Sequence, residues 1–195
     1  PHFAEALYVR LIQMYAAVVH EIYLDLDSST ELLAIFQDAL GEPFPQDPTA
    51  QLYRAIEAVF GSWLKSNAVN YRRLYNLPEE MGTAVVVQMM VFGNIDERSG
   101  TGVVFTRNPT TGSSQLYGEY LTKAQGEDVV SGSRTPIPIE TLRHDNLSVY
   151  KDVVNIACRL EQHFCDMQDI EFTWERGKLW FLQTRSGKRS PISAI

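Results

Sequence analysis

The stretch "DIEFTWERGKLWFLQTRSGKR", residues 169–189, restricts the fold more than any other part of the chain. Alternating apolar positions on both sides of "ERGK" spell two β-arms joined by a tight turn. On the first arm Ile170, Phe172 and Trp174 share one side and Asp169, Glu171 and Thr173 the other, because successive side chains of a strand point to opposite faces. On the second arm Gln183 and Arg185 share a face. Whether the two polar sets meet depends on register. An even-numbered turn pairs Glu171 with Leu182 and sends Gln183 to the far face; an odd-numbered turn or a bulge pairs Glu171 with Gln183 and Asp169 with Arg185. The odd register is expected here, with Gly177 absorbing the irregular backbone.

In that register a carboxylate and an amide oxygen face each other. Hard oxygen donors suit Mg²⁺, which binds through a few protein oxygens plus substrate phosphates. Arg185 lies one pleat further along, where its planar fork can grip a phosphate with two hydrogen bonds. A plain cross-strand pairing of Asp169 with Arg185 and Glu171 with Gln183 at a sheet rim uses the same residues, and the pattern alone leaves both readings open.

The first third of the chain reads as helical. Leu11, Met14, Tyr15, Val18, Val19 and Ile22 fall on one helical stripe. A second helix fits "SSTELLAIFQDALG", with Ser28 or Ser29 as its cap and Gly41 as its stop. "EPFPQDP" packs three prolines into seven residues and reads as a boundary. Asp47 followed by Pro48 starts a third helix, whose apolar face holds Leu52, Ile56, Val59, Phe60 and Trp63. Arg72 and Arg73 read as surface or ion-pair residues.

After Gly82 the texture changes. "AVVVQMMVFG" lacks a helical period and reads as a buried strand. "GVVFTRNPTTG" and "SSQLYGEYL" look like two more strands, joined through the Asn108-Pro109 turn and Gly112. "GEDVVSGSRTPIPIETL" is expected to be mostly loop, followed by a helix through Val149, Val153, Ile156, Leu160 and Phe164. The glycines of "SGTGVVF" are not a P-loop, since no Lys-Ser/Thr follows, and are expected to permit a tight turn. Helices followed by antiparallel strands give an α+β class.

Composition narrows the function classes. A formal charge of −7 disfavours a nucleic-acid partner bound through phosphate neutralisation, but leaves a nucleotide held through Mg²⁺ open, because such a site needs local carboxylates. No apolar run has the length of a membrane span, and the first residues are not a signal peptide. Cys158 and Cys165, two helical turns apart, are beyond disulfide reach and read as free thiols of a reducing compartment. The chain opens inside a helical pattern without Met, so a piece of something longer is expected.

With these features in view, the order "FPQDP", "AVFGSW", "YRRLYNLP", "GTAVVVQMMVFGN", "SGTGVVFTRNPTTG", "YGEYLTKAQGEDVVSGSRTP" and "MQDIEFTWERGKLWFLQTRSGKR" resembles the nucleotide-binding domain of the pyruvate, phosphate dikinase family across essentially the whole chain. The resemblance implies part of an ATP-grasp fold, with residues 1–47 as the helical tail of a mobile lid subdomain and 48–195 as the larger part of the core. It implies that Glu171 and Gln183 hold Mg²⁺ on the ATP phosphates, that Arg185 grips phosphate, and that Asp169 sits beside it. The segment Gln88, Met89, Met90 and Val91 would meet the adenine, although Gln88 also fits a core amide. Glu119, Glu127 and Asp128 match acidic positions near the cleft, while Glu127 and Asp128 also fit solvated loop acids. Lys123 departs from the Asn expected in "LINAQGED".

The family's reaction converts ATP, phosphate and pyruvate into AMP, pyrophosphate and phosphoenolpyruvate through a phosphohistidine. None of His2, His20, His144 and His163 has the setting of a carrier, so a phosphohistidine carrier domain and a pyruvate/phosphoenolpyruvate barrel are expected as partners outside this chain. A cytoplasmic enzyme is expected, an organellar one not being excluded, and a homodimer at full length. A phosphoenolpyruvate synthase, a rifampicin phosphotransferase or a non-catalytic interaction module are the alternatives.

Overall fold

The structure, a computed structural model, describes residues 2–130 and 134–191. Its contacts divide the chain into two compact units, Pro1–Gln88 and Met89–Ile195. The first unit is helical: α1 (His2–His20), α2 (Ser29–Leu40), α3 (Pro48–Ser62), α4 (Ser66–Leu74) and a 3₁₀ turn at Glu79–Met81. Its helix ends follow local chemistry. Ser28 Oγ accepts from the Glu31 amide at the start of α2, and Gly41 ends that helix in the left-handed region at φ 72°. The Asp47 carboxylate accepts from the Thr49 and Ala50 amides, both at 3.1 Å, with Pro48 in the first helical position of α3.

The core of this unit lies between α1 and α2, where Val9, Ile12, Tyr15 and Ala16 pack against Leu32, Phe36 and Phe44. The buried stripe of α1 is therefore rotated from the expected one. Of the expected positions only Tyr15 is buried, while Leu11, Met14 and Val18 are 41–54% exposed and line a groove facing Leu52 and Ala55 of α3. No residue of α3 is buried. Arg72 corrects another expectation: it is 4% exposed, donates to the Trp63 carbonyl at 2.7 Å and stacks 3.9 Å above the Trp63 ring.

The second unit carries β1 (Gly100–Phe105), β2 (Tyr117–Thr122), α5 (Gly126–Val130), β3 (Ile137–Pro138), a 3₁₀ turn at Ile139–Thr141, α6 (Leu142–Asp145), α7 (Leu147–Phe164), β4 (Gln168–Glu175) and β5 (Lys178–Ser186). The strands form one sheet in the order β3-β2-β1-β4-β5, with every described pairing antiparallel. Together with the flanking helices this is the expected α+β class. Val149, Val153 and Ala157 of α7 cover one face, meeting Val104, Tyr120, Ile170, Phe172 and Trp174. Complete burial of these side chains on one face leaves the odd-numbered positions of β4 on the other.

Gly100 and Gly102 lie inside β1 rather than at a turn. A β-carbon on Gly100 would come within 2.2 Å of the Trp174 ring, and one on Gly102 within 2.7 Å of Phe172. Both glycines make room for the aromatic side chains of β4. The stretch expected to be mostly loop holds α5 and the two residues of β3; its residues 131–133 lie outside the described residues. Both cysteines are free and exposed.

Candidate functional site

The geometry of the site follows from one irregularity in the hairpin. Glu175 pairs with Lys178 across the two-residue turn Arg176-Gly177, and both turn residues have positive φ, 51° and 85°, as a type I′ turn requires. An even turn alone would pair Glu171 with Leu182. Instead the register shifts between Phe172, which faces Phe181, and Glu171, which faces Gln183. Leu182 is the extra residue of a β-bulge, 39% exposed. The expected register is thus present, but Gly177 does not absorb the irregularity: it sits in a regular turn, and the bulge lies five residues later.

This shift aligns the polar side chains in two cross-strand rows on the face opposite α7. In one row Glu119 of β2, Val103 of β1, Glu171 of β4 and Gln183 of β5 are successive partners. Tyr117, Phe105, Asp169 and Arg185 form the next. With strands about 4.8 Å apart, Glu119 stands about 10 Å from Glu171 at the backbone.

The Arg185 guanidinium bridges the two acids of β4. Its Nε donates to Asp169 Oδ2 at 2.9 Å, and a terminal nitrogen donates to Glu171 Oε1 at 3.3 Å. The bond to Asp169 and the Asp169 charge, and then the Glu171 charge, hold the guanidinium even more firmly protonated than usual. The three side chains are graded in exposure: Asp169 18%, Glu171 39% and Arg185 58%. The row therefore opens to solvent on the β5 side.

The other expected residues are placed less uniformly. Val129 of α5 packs with Leu121, Ala124 and Val103, which puts this short helix over the same face of the sheet. Within it Asp128 Oδ2 accepts from the Gln125 amide at 2.8 Å, closing a local turn, and Glu127 is exposed. The segment carrying Gln88, Met89, Met90 and Val91 is not the expected buried strand: residues 82–92 form no strand, and Val86, Val87, Met89 and Met90 are 55–81% exposed. A β-branched apolar run becomes a buried strand only with a ladder partner on its edge, and none of the described strands pairs with it. Gln88 and Met89 fall in different compact units.

One site residue escaped the sequence reading. Glu175, on the same face of β4 as Glu171, accepts the Phe92 amide through Oε2 at 2.9 Å, tying the chain after Val91 to the turn end of the hairpin. An acid at the last outward position of the first arm was the available signal. The turn itself is backed by the preceding loop, where the Ser99 hydroxyl accepts from the Arg176 amide at 2.9 Å and the Arg98 carbonyl from the Gly177 amide at 3.2 Å. Lys123 has φ 47°, a left-handed conformation in which Asn is better tolerated, and its Nζ pairs with Glu97 at 2.6 Å.

The donor set fits a hard cation. A carboxylate and an amide oxygen are direct cross-strand neighbours on an accessible face. Among the described residues no three His, Cys, Asp or Glu side chains gather as a closed metal cage. A cation held by Glu171 and Gln183 would complete its shell from water and substrate oxygens, the manner in which Mg²⁺ is usually bound.

Comparison with known proteins shows the family of the chain. The model of the family "Pyruvate phosphate dikinase, AMP/ATP-binding domain" matches residues 19–147 and 141–194. Pyruvate, phosphate dikinase of Clostridium symbiosum is 48% identical over 222 residues, covering 100% of this chain, and that of Rhizobium meliloti (strain 1021) is 46% identical over 234 residues, covering 99%. The chloroplastic pyruvate, phosphate dikinase of Mesembryanthemum crystallinum is 50% identical over 161 residues, covering 83% of the chain. The chain spans about a quarter of the length of the two bacterial relatives, 25% and 26%, and 17% of the plant protein. No helix among the described residues is long and apolar enough to cross a membrane.

Proposed function

Because the chain belongs to the pyruvate phosphate dikinase family, in its AMP/ATP-binding domain, we propose that the face bearing Glu171, Gln183 and Arg185 receives the phosphates of ATP. The cross-strand alignment produced by the Leu182 bulge carries this reading. It puts two hard oxygen donors and a planar cation on neighbouring pleats, the combination that a polyphosphate and its metal need.

In this reading Glu171 and Gln183 hold Mg²⁺, and a bound Mg²⁺ supplies charge neutralisation at the phosphate oxygens. Arg185 hydrogen-bonds phosphate oxygens as negative charge redistributes during transfer, the kind of contact whose loss costs on the order of 10²–10³ in rate. Asp169 holds the guanidinium in place, and Glu119 adds negative potential along the same row. Glu127 and Asp128, on α5 above that face, are acids near the nucleotide cleft in this reading. The backbone of Met89, Met90 and Val91, tethered next to the hairpin through Glu175, meets the base. The protein performs little covalent chemistry in such a transfer; placing charges does the work.

The whole enzyme then passes phosphoryl groups from ATP to a carrier histidine on another domain, toward AMP, pyrophosphate and phosphoenolpyruvate from ATP, phosphate and pyruvate. In this reading residues 1–47 act as the tail of the lid and 48–195 as the larger part of the grasp core, with α1 facing α3 inside one compact helical unit that runs on to Gln88. Calorimetric titration of this chain with MgATP is expected to show weak or no binding. In the full-length protein Glu171→Gln and Arg185→Gln are each expected to slow phosphorylation of the carrier by about 10²-fold or more, and near-wild-type rates in both variants would refute the assignment.

A further inference from the structure

We infer that Arg185 and a divalent cation compete for one carboxylate, and that Asp169 is the positioning residue on which the guanidinium pivots away from it. The inference rests on the reading of Glu171 as a cation ligand. The two contacts of Arg185 are unequal. The bond to Asp169 is 2.9 Å, within the common range for N–H···O, and its acceptor is the more enclosed of the two acids. The bond to Glu171 is 3.3 Å, to a carboxylate twice as exposed, so it is the longer and the better screened.

The covalent order of the side chain adds direction to this asymmetry. Nε lies next to the aliphatic stem and is the atom bound to Asp169, whereas the nitrogen on Glu171 is at the tip. Rotation with Nε held therefore swings the tip off Glu171 without releasing Asp169. An exposed guanidinium–carboxylate contact is weak enough to exchange readily, and a phosphate offers the same fork a stronger two-point partner. Across the row the neighbouring groups are Gln183, neutral, and Glu119 beyond Val103. Neither supplies another cation to Glu171.

Two consequences follow. A cation arriving alone meets a Glu171 already engaged by Arg185. A phosphate that draws the tip away releases that carboxylate, so cation and phosphate assist each other's binding, by the same factor in each direction.

The test uses Mn²⁺ alone as the probe, its free fraction read by electron paramagnetic resonance in the presence of this chain and without nucleotide. Arg185 is a 58% exposed side chain at the sheet edge, and circular dichroism checks that each variant keeps its fold. Arg185→Gln is expected to tighten Mn²⁺ binding roughly two- to fivefold, the range set by an exposed ion pair. Asp169→Asn is expected to weaken it, because a guanidinium without its pivot settles on Glu171. That loss should shrink when Arg185→Gln is already present, which separates the pivot from the mere removal of a negative charge.

Unchanged or weaker binding in Arg185→Gln overturns the competition, as does the absence of measurable Mn²⁺ binding to that variant. Glu171→Gln tells the two levels apart. If it weakens Mn²⁺ binding while Arg185→Gln matches the wild type, Glu171 remains a ligand and only the competition falls. If it changes nothing in either background, the cation reading itself falls.

Discussion

Gly100 offers a sharp test of how the sheet that carries the polar rows is packed. Its backbone is not in the left-handed region, so an added methyl group is opposed by space alone. The β-carbon of Ala would lie 2.2 Å from Trp174 Cη2, 2.3 Å from Cζ2 and 2.5 Å from the Leu121 carbonyl oxygen. Neither side yields easily. Trp174 is 2% exposed and packed beside Phe172 and Tyr120, with ring centres 6.2 and 6.0 Å away. Leu121 is the backbone of the neighbouring strand. Overpacking of this kind costs about 1–3 kcal/mol, and the reduced freedom of the unfolded chain returns about 0.4–1 kcal/mol, so Gly100→Ala should destabilise the sheet by about 1–2 kcal/mol.

Because the chain has two compact units, one unfolding curve does not isolate this effect. Hydrogen exchange at the β1 and β4 amides does. Trp174→Phe removes the two ring atoms that clash, at a cost by itself of about 1–2 kcal/mol for the space it empties. The double variant should then lose at least about 1 kcal/mol less than the sum of the single losses, a coupling in the range found for contacting residues. Strict additivity, or a Gly100→Ala variant within about 0.5 kcal/mol of wild type, would refute the packing account.

Three further outcomes are expected. Asp47→Ala should cost α3 about 1–2 kcal/mol and Ser28→Ala only about 0.5 kcal/mol in α2, because Asp47 accepts two amides at 3.1 Å and Ser28 one at 3.4 Å; urea titration followed by helical circular dichroism ranks them. The Ser99 hydroxyl first, with the Arg98 amide and Arg176, holds the Asp96 carboxyl below its ordinary value of 3.8. Its stabilisation is therefore present above that value and lost as pH falls through the lowered one, so Asp96→Asn should lower stability near neutral pH and flatten its decline in acid, as read from thermal midpoints across that range. Lys123→Asn should stabilise the sheet unit by about 0.5 kcal/mol, since relief of a left-handed backbone outweighs an exposed pair with Glu97; a loss of more than about 1 kcal/mol by hydrogen exchange at the β2 amides would contradict this.

Much of the architecture was legible because it is encoded within a few residues. Ser28, Gly41, Asp47 and Pro48 mark helix ends through their own backbone and side-chain geometry. The alternation from Asp169 to Arg185 marks two strands and which positions of each arm share a side. The rotated stripe of α1 was not readable in this way, since Leu11, Met14 and Val18 are as apolar as the residues buried against α2, and only the position of the second helix selects among them. The same holds for Val86 to Met90, whose β-branched and long apolar side chains suit a strand but cannot supply the partner that would make one.

The candidate site divides along the same line. The residue types, Asp169, Glu171, Gln183 and Arg185, and their alternation set what chemistry the hairpin could offer. Their meeting on one face rests on a bulge at Leu182, one residue of slack in a ladder whose turn is regular. Local propensity is nearly indifferent to which strand position bulges. The choice falls where Phe172 and Trp174 can stay under α7 while Phe181 remains opposite Phe172, a balance of burial between distant segments. Gly100 and Gly102 belong to that balance too, since their value comes from the rings of β4 that lie against them, some seventy positions away along the chain.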